Sequence, residues 1–277
     1  MIDTAAYRRQ VEESVAFLRD RLPFLPEIVV ELGTGLGGLA EALAGPTVIP
    51  YRDIPHFPLS TVESHAGNLV CGELAGKTVA VLQGRVHCYE GYSAREVALP
   101  MRVLALLGAR MAIITNASGG LNPDFAPGTI MVLTDHLNLL GDNPLRGPNI
   151  DAWGPRFPDL SKPYAPELVT TALAAARKLG LSNMATGTYV CIPGPSLESP
   201  AETRYLRASG ADAVGMSSLP EILVALHAGL RVLGLAVVAN VNNPDNLQPI
   251  LLADIVRKAR ETEPLLLSLI AEIITRC

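Results

Sequence analysis

Between Cys191 and Asn240 the chain sets polar turns between apolar runs: CIPGPSLESPAETRYLRASGADAVGMSSLPEILVALHAGLRVLGLAVVAN. Ser199-Pro200-Ala201-Glu202 places a hydroxyl at an N-cap, proline at the first helical position and glutamate at the third, the pattern of a capping box. Ser218-Leu219-Pro220-Glu221 repeats it almost residue for residue, so a helix is expected to start at each. Glu198 stands just ahead of the first cap, and Met216 and Ser217 just ahead of the second. Helix N-termini present unsatisfied N–H groups and a partial positive charge, which suits anions. With a buried strand ending at Asn240, the stretch reads as part of a site for an anion and a polar ring.

Three other turns carry groups of the same kind. Gly33-Thr34-Gly35-Leu36-Gly37-Gly38 follows the apolar run EIVVEL; such a turn exposes backbone N–H groups to a phosphate, with the Thr34 hydroxyl as a further donor. It also matches G-x-G-x-x-G, with Asp53 twenty positions after Gly33, so a dinucleotide-binding Rossmann protein using NAD is a distant alternative. Against it, Asp53 lies in TVIPYRDIPHFP, where prolines interrupt the second strand the motif needs. In GRVHCYEGY an extended backbone puts Arg85, His87 and Tyr89 on one face, where Arg and His can meet an oxyanion. Thr115-Asn116-Ala117-Ser118-Gly119-Gly120 is expected as a turn after a buried strand, where α/β sheets bind ligands. His65 lies in a polar loop, whereas His136 and His227 read as structural. No GxSxG elbow or HExxH pattern is present, so serine nucleophiles and zinc hydrolysis have no support.

The elements that must position these groups alternate. A helix is expected over 5–22, a buried strand over 27–32 and a hairpin of 68–75 with 77–83 about Gly76-Lys77. A helix over 95–107 leads to strands at 111–115 and 130–133. Residues 142–166 form a long loop rich in Pro, Gly, Asn and Asp, a length that favours a functional or interfacial role. Helix 166–179 and strand 185–192 follow, and the tail 248–276 is helical with Pro264 kinking or breaking it. The expected fold is a single α/β domain over 1–277, with a central mixed β-sheet and helices on both faces.

Of the 277 residues 49% are hydrophobic, enough for a large core, and only 18% are charged where about 25% is usual. That deficit fits surface hidden in an oligomer. A net charge of −5 argues against nucleic-acid binding. The four cysteines (71, 88, 191 and 277) have no CxxC spacing, so zinc is not expected and a reducing cytoplasm is. Charges in MIDTAAYRRQVEES occupy the place of a signal peptide's apolar run, and no stretch of ~20 apolar residues offers a membrane span.

GTGLGGLA, STVESHAGNLV, GRVHCYEGY, TNASGGLNPDFAPGTIMVLTDHLNL, NPLRGPN, GPSLESPAETR and GADAVGMSSLPEILVALHAGLRVLG run in this order from about residue 30 to 240. Together they resemble the trimeric, low-molecular-mass purine nucleoside phosphorylases, a family that includes the methylthioadenosine and methylthioinosine phosphorylases. The resemblance implies reversible phosphorolysis of inosine, guanosine and their deoxy forms to free purine and pentose 1-phosphate. Phosphate is then a co-substrate, and no metal or organic cofactor is implied. By resemblance Thr34, His65, Arg85, His87, Ala117 (through its backbone) and Ser217 match the phosphate positions. Tyr89 and Met216 match contacts to the sugar; Glu198 and Asn240 match the purine-binding pair, with Leu197 and Val214 lining the base. Asn240, Glu198 and His87 would carry the catalysis. Phe157 matches an aromatic that reaches a neighbouring subunit's site, which implies a homotrimer. The chain departs from the family at Leu197, usually Phe; at Ala239, often Thr; and in lacking the His that contacts the 5′-hydroxyl. A 5′-methylthio substrate is therefore the main alternative. An ionised Glu198 beside a helix N-terminus would accept a hydrogen bond from N1–H, which 6-oxopurines have and adenine lacks.

Overall fold

The computed structural model describes residues 3–33, 35–62 and 66–277. Thr34 and His65, two of the expected phosphate contacts, lie outside the described residues. The strands are β1 (Ile28–Glu31), β2 (Ala44–Pro50), β3 (Asn68–Leu74), β4 (Lys77–Gln83), β5 (Met111–Gly120), β6 (Ile130–Asn138), β7 (Met184–Cys191), β8 (Ala213–Gly215) and β9 (Arg231–Val241). Among the described residues they form one nine-stranded sheet in the order β2-β3-β4-β1-β5-β8-β7-β6-β9, and β9 pairs again with β5. That last pairing closes β5, β8, β7, β6 and β9 into a ring, which leaves this half without an edge. β1 is parallel to both β4 and β5, while β2–β3–β4 is an antiparallel meander, so the sheet is mixed as expected.

The helices are α1 (Thr4–Arg19), α2 (Ala94–Val97), α3 (Leu99–Leu107), α4 (Pro166–Lys178), α5 (Pro200–Ala208), α6 (Leu219–His227) and α7 (Leu252–Thr275). One face of the sheet is covered by α1, α3 and α6, through residues such as Val15, Leu18, Leu104 and Ile222. The other is covered by α4 and α7, through Leu168, Ala172, Leu266, Leu269 and Ile273. Central strands buried on both faces read as continuous apolar runs, which is why Ile28–Glu31 is buried at every position. The sole charge in that run is Glu31, whose burial is costly unless it is paired.

Several elements depart from expectation, each for a local reason. Helix α1 ends at Arg19, with Leu22 and Phe24 packing after it, rather than running to Pro23. The helix expected over 95–107 is two helices meeting at Ala98. β5 does not turn after Thr115 but continues through Asn116–Gly120, because β9 pairs alongside all ten residues. Between Ser118/Val238 and Gly119/Asn240 the pairing gains one residue, Ala239, on β9. Such a bulge re-aims the side chains that follow it. Pro264 neither breaks α7 nor ends it; Ala259 before it and Leu266, Leu269 and Ile270 after it pack into one core cluster.

The capping box at Ser199 forms as expected, with Glu202 reaching back to the Ser199 N–H. The one at Ser218 does not. Ser218 has φ +74° and its hydroxyl makes no cap bond; it accepts instead from Arg85 and Asn116, and Glu221 is buried rather than turned back to the cap. The dinucleotide alternative fails on topology. The glycine-rich turn leads into a short 3-10 turn (Gly37–Ala42), then into β2, which is antiparallel to β3, and Asp53 sits in the turn Tyr51–Asp53. A dinucleotide site needs an α-helix crossing to a parallel strand.

Candidate active site

The glycine-rich turn crosses β5 at close quarters. A Cβ at Gly33 would lie 2.7 Å from the Asn116 Cα, so the crossing admits only glycine. Gly33 N–H donates to the Thr115 hydroxyl, and Gly38 N–H donates to Glu263 of α7 at 2.7 Å. One of the N–H groups expected to meet a phosphate is therefore held by the protein's own carboxylate.

A cavity of about 370 Å³ opens beside this crossing. Arg85, His87, Ala117 and Ser217 line it, as do Tyr89 and Met216, and Leu197, Glu198, Val214 and Asn240. Ten of the thirteen expected site residues thus share one cavity, Thr34 and His65 being outside the described residues. The remaining one, Phe157, is 85% exposed on the long loop and does not line the cavity of its own chain.

Arg85 enters from the chain after β4 and is buried. Its Nη1 donates to Ser218 Oγ at 2.7 Å and its Nη2 to the Thr115 carbonyl at 2.6 Å. Behind it stand two buried carboxylates, Glu31 at 3.9 Å from Nε and Glu221 at 3.8 Å from Nη1. Burial works against the charge on Arg85, but Glu31 and Glu221 hold its pKa above the ordinary value. Burial raises the carboxyl of Glu31, and burial with the charge of Glu31 raises that of Glu221 well above the usual range. One cation cannot hold two buried carboxylates ionised, so the cluster retains a proton. The left-handed Ser218 backbone stores roughly 1–2 kcal/mol of strain in order to aim its hydroxyl at both Arg85 and Asn116.

His87 is oriented by Glu90, which accepts from its backbone N–H at 2.8 Å and lies 2.9 Å from Nδ1. Burial pushes the His87 pKa down to about 4, the Glu90 bond opposing it and Arg85 adding to it. The imidazole is neutral at pH 7, and since a carboxylate only accepts, Nδ1 carries the proton. The ring stacks on Tyr89 at 4.6 Å and 16°.

The second polar group lies further along β5. Asn242 Nδ2 donates to Glu198 Oε2 at 2.9 Å, and Asn240 Nδ2 donates to Asn242 Oδ1 at 2.6 Å. Burial raises the Glu198 carboxyl above its ordinary range, against the expectation from its place beside a helix start; its own backbone N–H and Asn242 partly offset the shift. Asn242 packs against Gly119, and Asn116 against Ser218, so the two polar groups sit three residues apart on β5, about 10 Å. Val62, Ile250, Leu252 and Ile255 add apolar wall. Among the described residues no group of three or more His, Cys, Asp or Glu could hold a metal ion, and no helix is long and apolar enough to cross a membrane.

A profile of the phosphorylase superfamily matches residues 27–275. Purine nucleoside phosphorylase 1 of Geobacillus stearothermophilus is 49% identical over 234 residues, covering 84% of this chain and 85% of the relative. The chain belongs to the purine nucleoside phosphorylase family. The family's member from Mus musculus is 45% identical over 243 residues, covering 86% of this chain and 84% of its own. The crystal structure of a Schistosoma purine nucleoside phosphorylase in complex with hypoxanthine matches with a TM-score of 0.92 at 37% identity, over 97% of both chains. The Schistosoma mansoni structure in complex with inosine also gives 0.92, at 36% identity over 97% of this chain and 96% of that one.

In this member of the family, four residues of the site escape a reading of the sequence. Glu31 has a signal: a lone carboxylate in an otherwise apolar strand. Glu221 reads as part of a cap, and only the positive φ of Ser218 removes it from that role. Asn242 follows Asn240 by two, the spacing that shares a face of a strand. Glu90 follows His87 by three and closes the turn Cys88–Glu90 back onto it.

Proposed function

We propose that this member of the family catalyses the reversible phosphorolysis of 6-oxopurine nucleosides, inosine, guanosine and their deoxy forms, giving free purine and (deoxy)ribose 1-phosphate. The observation that carries the reading is one cavity in which a carboxylate–carboxamide group lies about 10 Å along β5 from an arginine–histidine–serine group. That separation suits a purine at one end, an oxyanion at the other and a pentose between.

Phosphate binds against Arg85, His87, Ser217 and the Ala117 backbone, with Thr34 and His65 completing its shell. Tyr89 and Met216 hold the sugar. Glu198 accepts from N1–H, Asn240 meets N7 and the substituent at position 6, and Leu197 and Val214 cover the ring. As the C1′–N9 bond lengthens, positive charge grows on the sugar and the bonding pair moves onto the purine. A phosphate oxygen forms the new bond to C1′, and the proton of monohydrogen phosphate is balanced by the proton gained by the purine. Preorganised donors aimed at such developing charge are commonly worth ~3–4 kcal/mol each. Asn240, Glu198 and His87 are the residues on which turnover depends; phosphate is a co-substrate and no cofactor is called for.

The whole chain, 1–277, acts as one domain in the cytoplasm and assembles as a homotrimer in which Phe157, 85% exposed on its own chain, enters the neighbour's cavity. The decisive experiment measures release of base from inosine, guanosine, adenosine and methylthioinosine with and without phosphate. Phosphate-dependent release from inosine and guanosine is expected. No release from any of the four overturns the enzyme, and a preference for methylthioinosine would assign the apolar wall of Ile250, Leu252 and Ile255 to a 5′-methylthio group.

A further inference from the structure

Asn242 joins the two halves of the purine end. It is 1% exposed, its backbone N–H donates to the Gly120 carbonyl at 2.8 Å, and its own carbonyl accepts from Arg207. A Cβ on Gly119 would sit 3.2 Å from Asn242 Nδ2, so a side chain there would press on the amide that the glycine leaves in place. Its carboxamide spans Glu198 at 2.9 Å and Asn240 at 2.6 Å.

The direction of this chain of hydrogen bonds follows from chemistry. An ionised carboxylate only accepts, so Asn242 turns its NH₂ toward Glu198. Its carbonyl then faces Asn240, and Asn240 must turn its own NH₂ toward that carbonyl. One N–H of Asn240 is thereby consumed, and its remaining N–H and its carbonyl oxygen are held at fixed places. The opposite flip would set carbonyl against carbonyl inside a buried site, where an unmatched acceptor is costly. A purine is read on the same two residues. A 6-oxopurine offers N1–H as donor and O6 as acceptor, whereas a 6-aminopurine offers N1 as acceptor and an amino group as donor. Because Asn240 reaches Glu198 through one amide, a base that needs the reverse pattern must turn Asn240 and Asn242 together, which sets the Asn242 carbonyl against the Glu198 carboxylate.

We propose, resting on the function given above, that Asn242 is a positioning residue that determines specificity: by tying the flip of Asn240 to Glu198, it sets the discrimination of 6-oxo from 6-amino purines. Asn242→Leu keeps the size and removes both bonds, so Asn240 turns freely. The ratio of kcat/KM for inosine over adenosine should fall about tenfold, the value of one lost polar contact in a buried site. The ratio of dissociation constants for adenine over hypoxanthine should fall with it. Asn242→Asp keeps the acceptor for Asn240 and removes the donor to Glu198, so its ratio should lie between wild type and Asn242→Leu. A role confined to packing would lower both substrates together and leave the ratios alone. Ratios within twofold of wild type in folded Asn242→Leu, verified by its unfolding midpoint, overturn the proposal, as does an Asn242→Asp ratio lower than that of Asn242→Leu. The binding arm separates it from the functional reading: if the wild type binds hypoxanthine over adenine but releases no base, turnover fails while Asn242 is still judged by the dissociation constants. If the wild type does not prefer hypoxanthine, both fall.

Discussion

Glu31→Gln should make the protein progressively more stable than wild type as pH rises, and one proton sets the slope. Glu31 and Glu221 flank the Arg85 guanidinium at 3.9 and 3.8 Å, all three side chains being at most 4% exposed. At an effective dielectric constant of about 20, such a pair attracts by roughly 4 kcal/mol. Taking a carboxylate out of water costs several kcal/mol, and the two carboxylates also repel each other. Arg85 therefore supports one ionised carboxylate, and the other keeps its proton. Both carboxyls are raised from an ordinary value of 4.5 by burial, Glu221 further by the charge of Glu31. A folded pKa above the unfolded one gives stability that is complete below the unfolded value and lost as pH climbs toward the folded value. The wild type should thus lose stability above the ordinary carboxylate range on account of this proton, at up to about 1.4 kcal/mol per pH unit until the folded value is reached. The substituted carboxamide has the same shape as the carboxyl, cannot ionise, and leaves Glu221 paired one to one with Arg85. Between pH 5 and pH 8 the difference in unfolding free energy, variant minus wild type, should grow with pH, with a slope of at most about 1.4 kcal/mol per unit. Urea midpoints at each pH, with a common m-value, measure it. Parallel stability curves across that window would refute the shared proton, as would a variant that loses ground as pH rises.

Three further outcomes are expected. Asn240→Asp should move preference toward 6-aminopurines, since a carboxylate accepts from an amino group; an unchanged inosine-to-adenosine ratio of kcat/KM would count against Asn240 as a purine contact. His87, held down to about 4 by burial, leaves the unfolded chain to take up its proton first, so stability should fall as pH drops from 6.5, by up to about 3 kcal/mol at pH 4. His87→Gln should flatten that limb in urea titrations. Phe157→Ala, at a position 85% exposed, should shift the unfolding free energy of the single chain by no more than about 0.5 kcal/mol. It should raise the nucleoside KM about tenfold with kcat little changed. Unaltered KM, or light scattering at one chain mass, would remove Phe157 from the neighbour's site.

The fold class was legible because alternating apolar runs and capped helices are local signals, and the mixed sheet with helices on both faces followed from them. What the sequence could not show was non-local. The strand character of Asn116–Gly120 depends on β9 lying alongside, a partner more than a hundred residues away. The bulge at Ala239 is a difference in count between two strands, invisible in either alone. The two capping boxes read alike, and only the first formed, because Ser218 is drawn into a left-handed conformation by Arg85 and Asn116. Arg85, His87, Ser217, Glu198 and Asn240 were legible as polar groups at turns and strand ends, and Leu197 and Val214 only through the resemblance; the residues that orient them, Glu31, Glu221, Glu90 and Asn242, were not. A positioning residue shows itself only by what it touches.

The bond from Gly38 N–H to Glu263 spans 225 positions of sequence. During synthesis the glycine-rich turn leaves the ribosome long before α7 exists, and chain emerges at only about 5–20 residues per second. For at least ten seconds or so at that pace the turn lacks its clamp, whatever the strands around it have already formed. The anion end of the cavity is thus a late acquisition in the life of each molecule, and its maturation should be timed by the docking of α7.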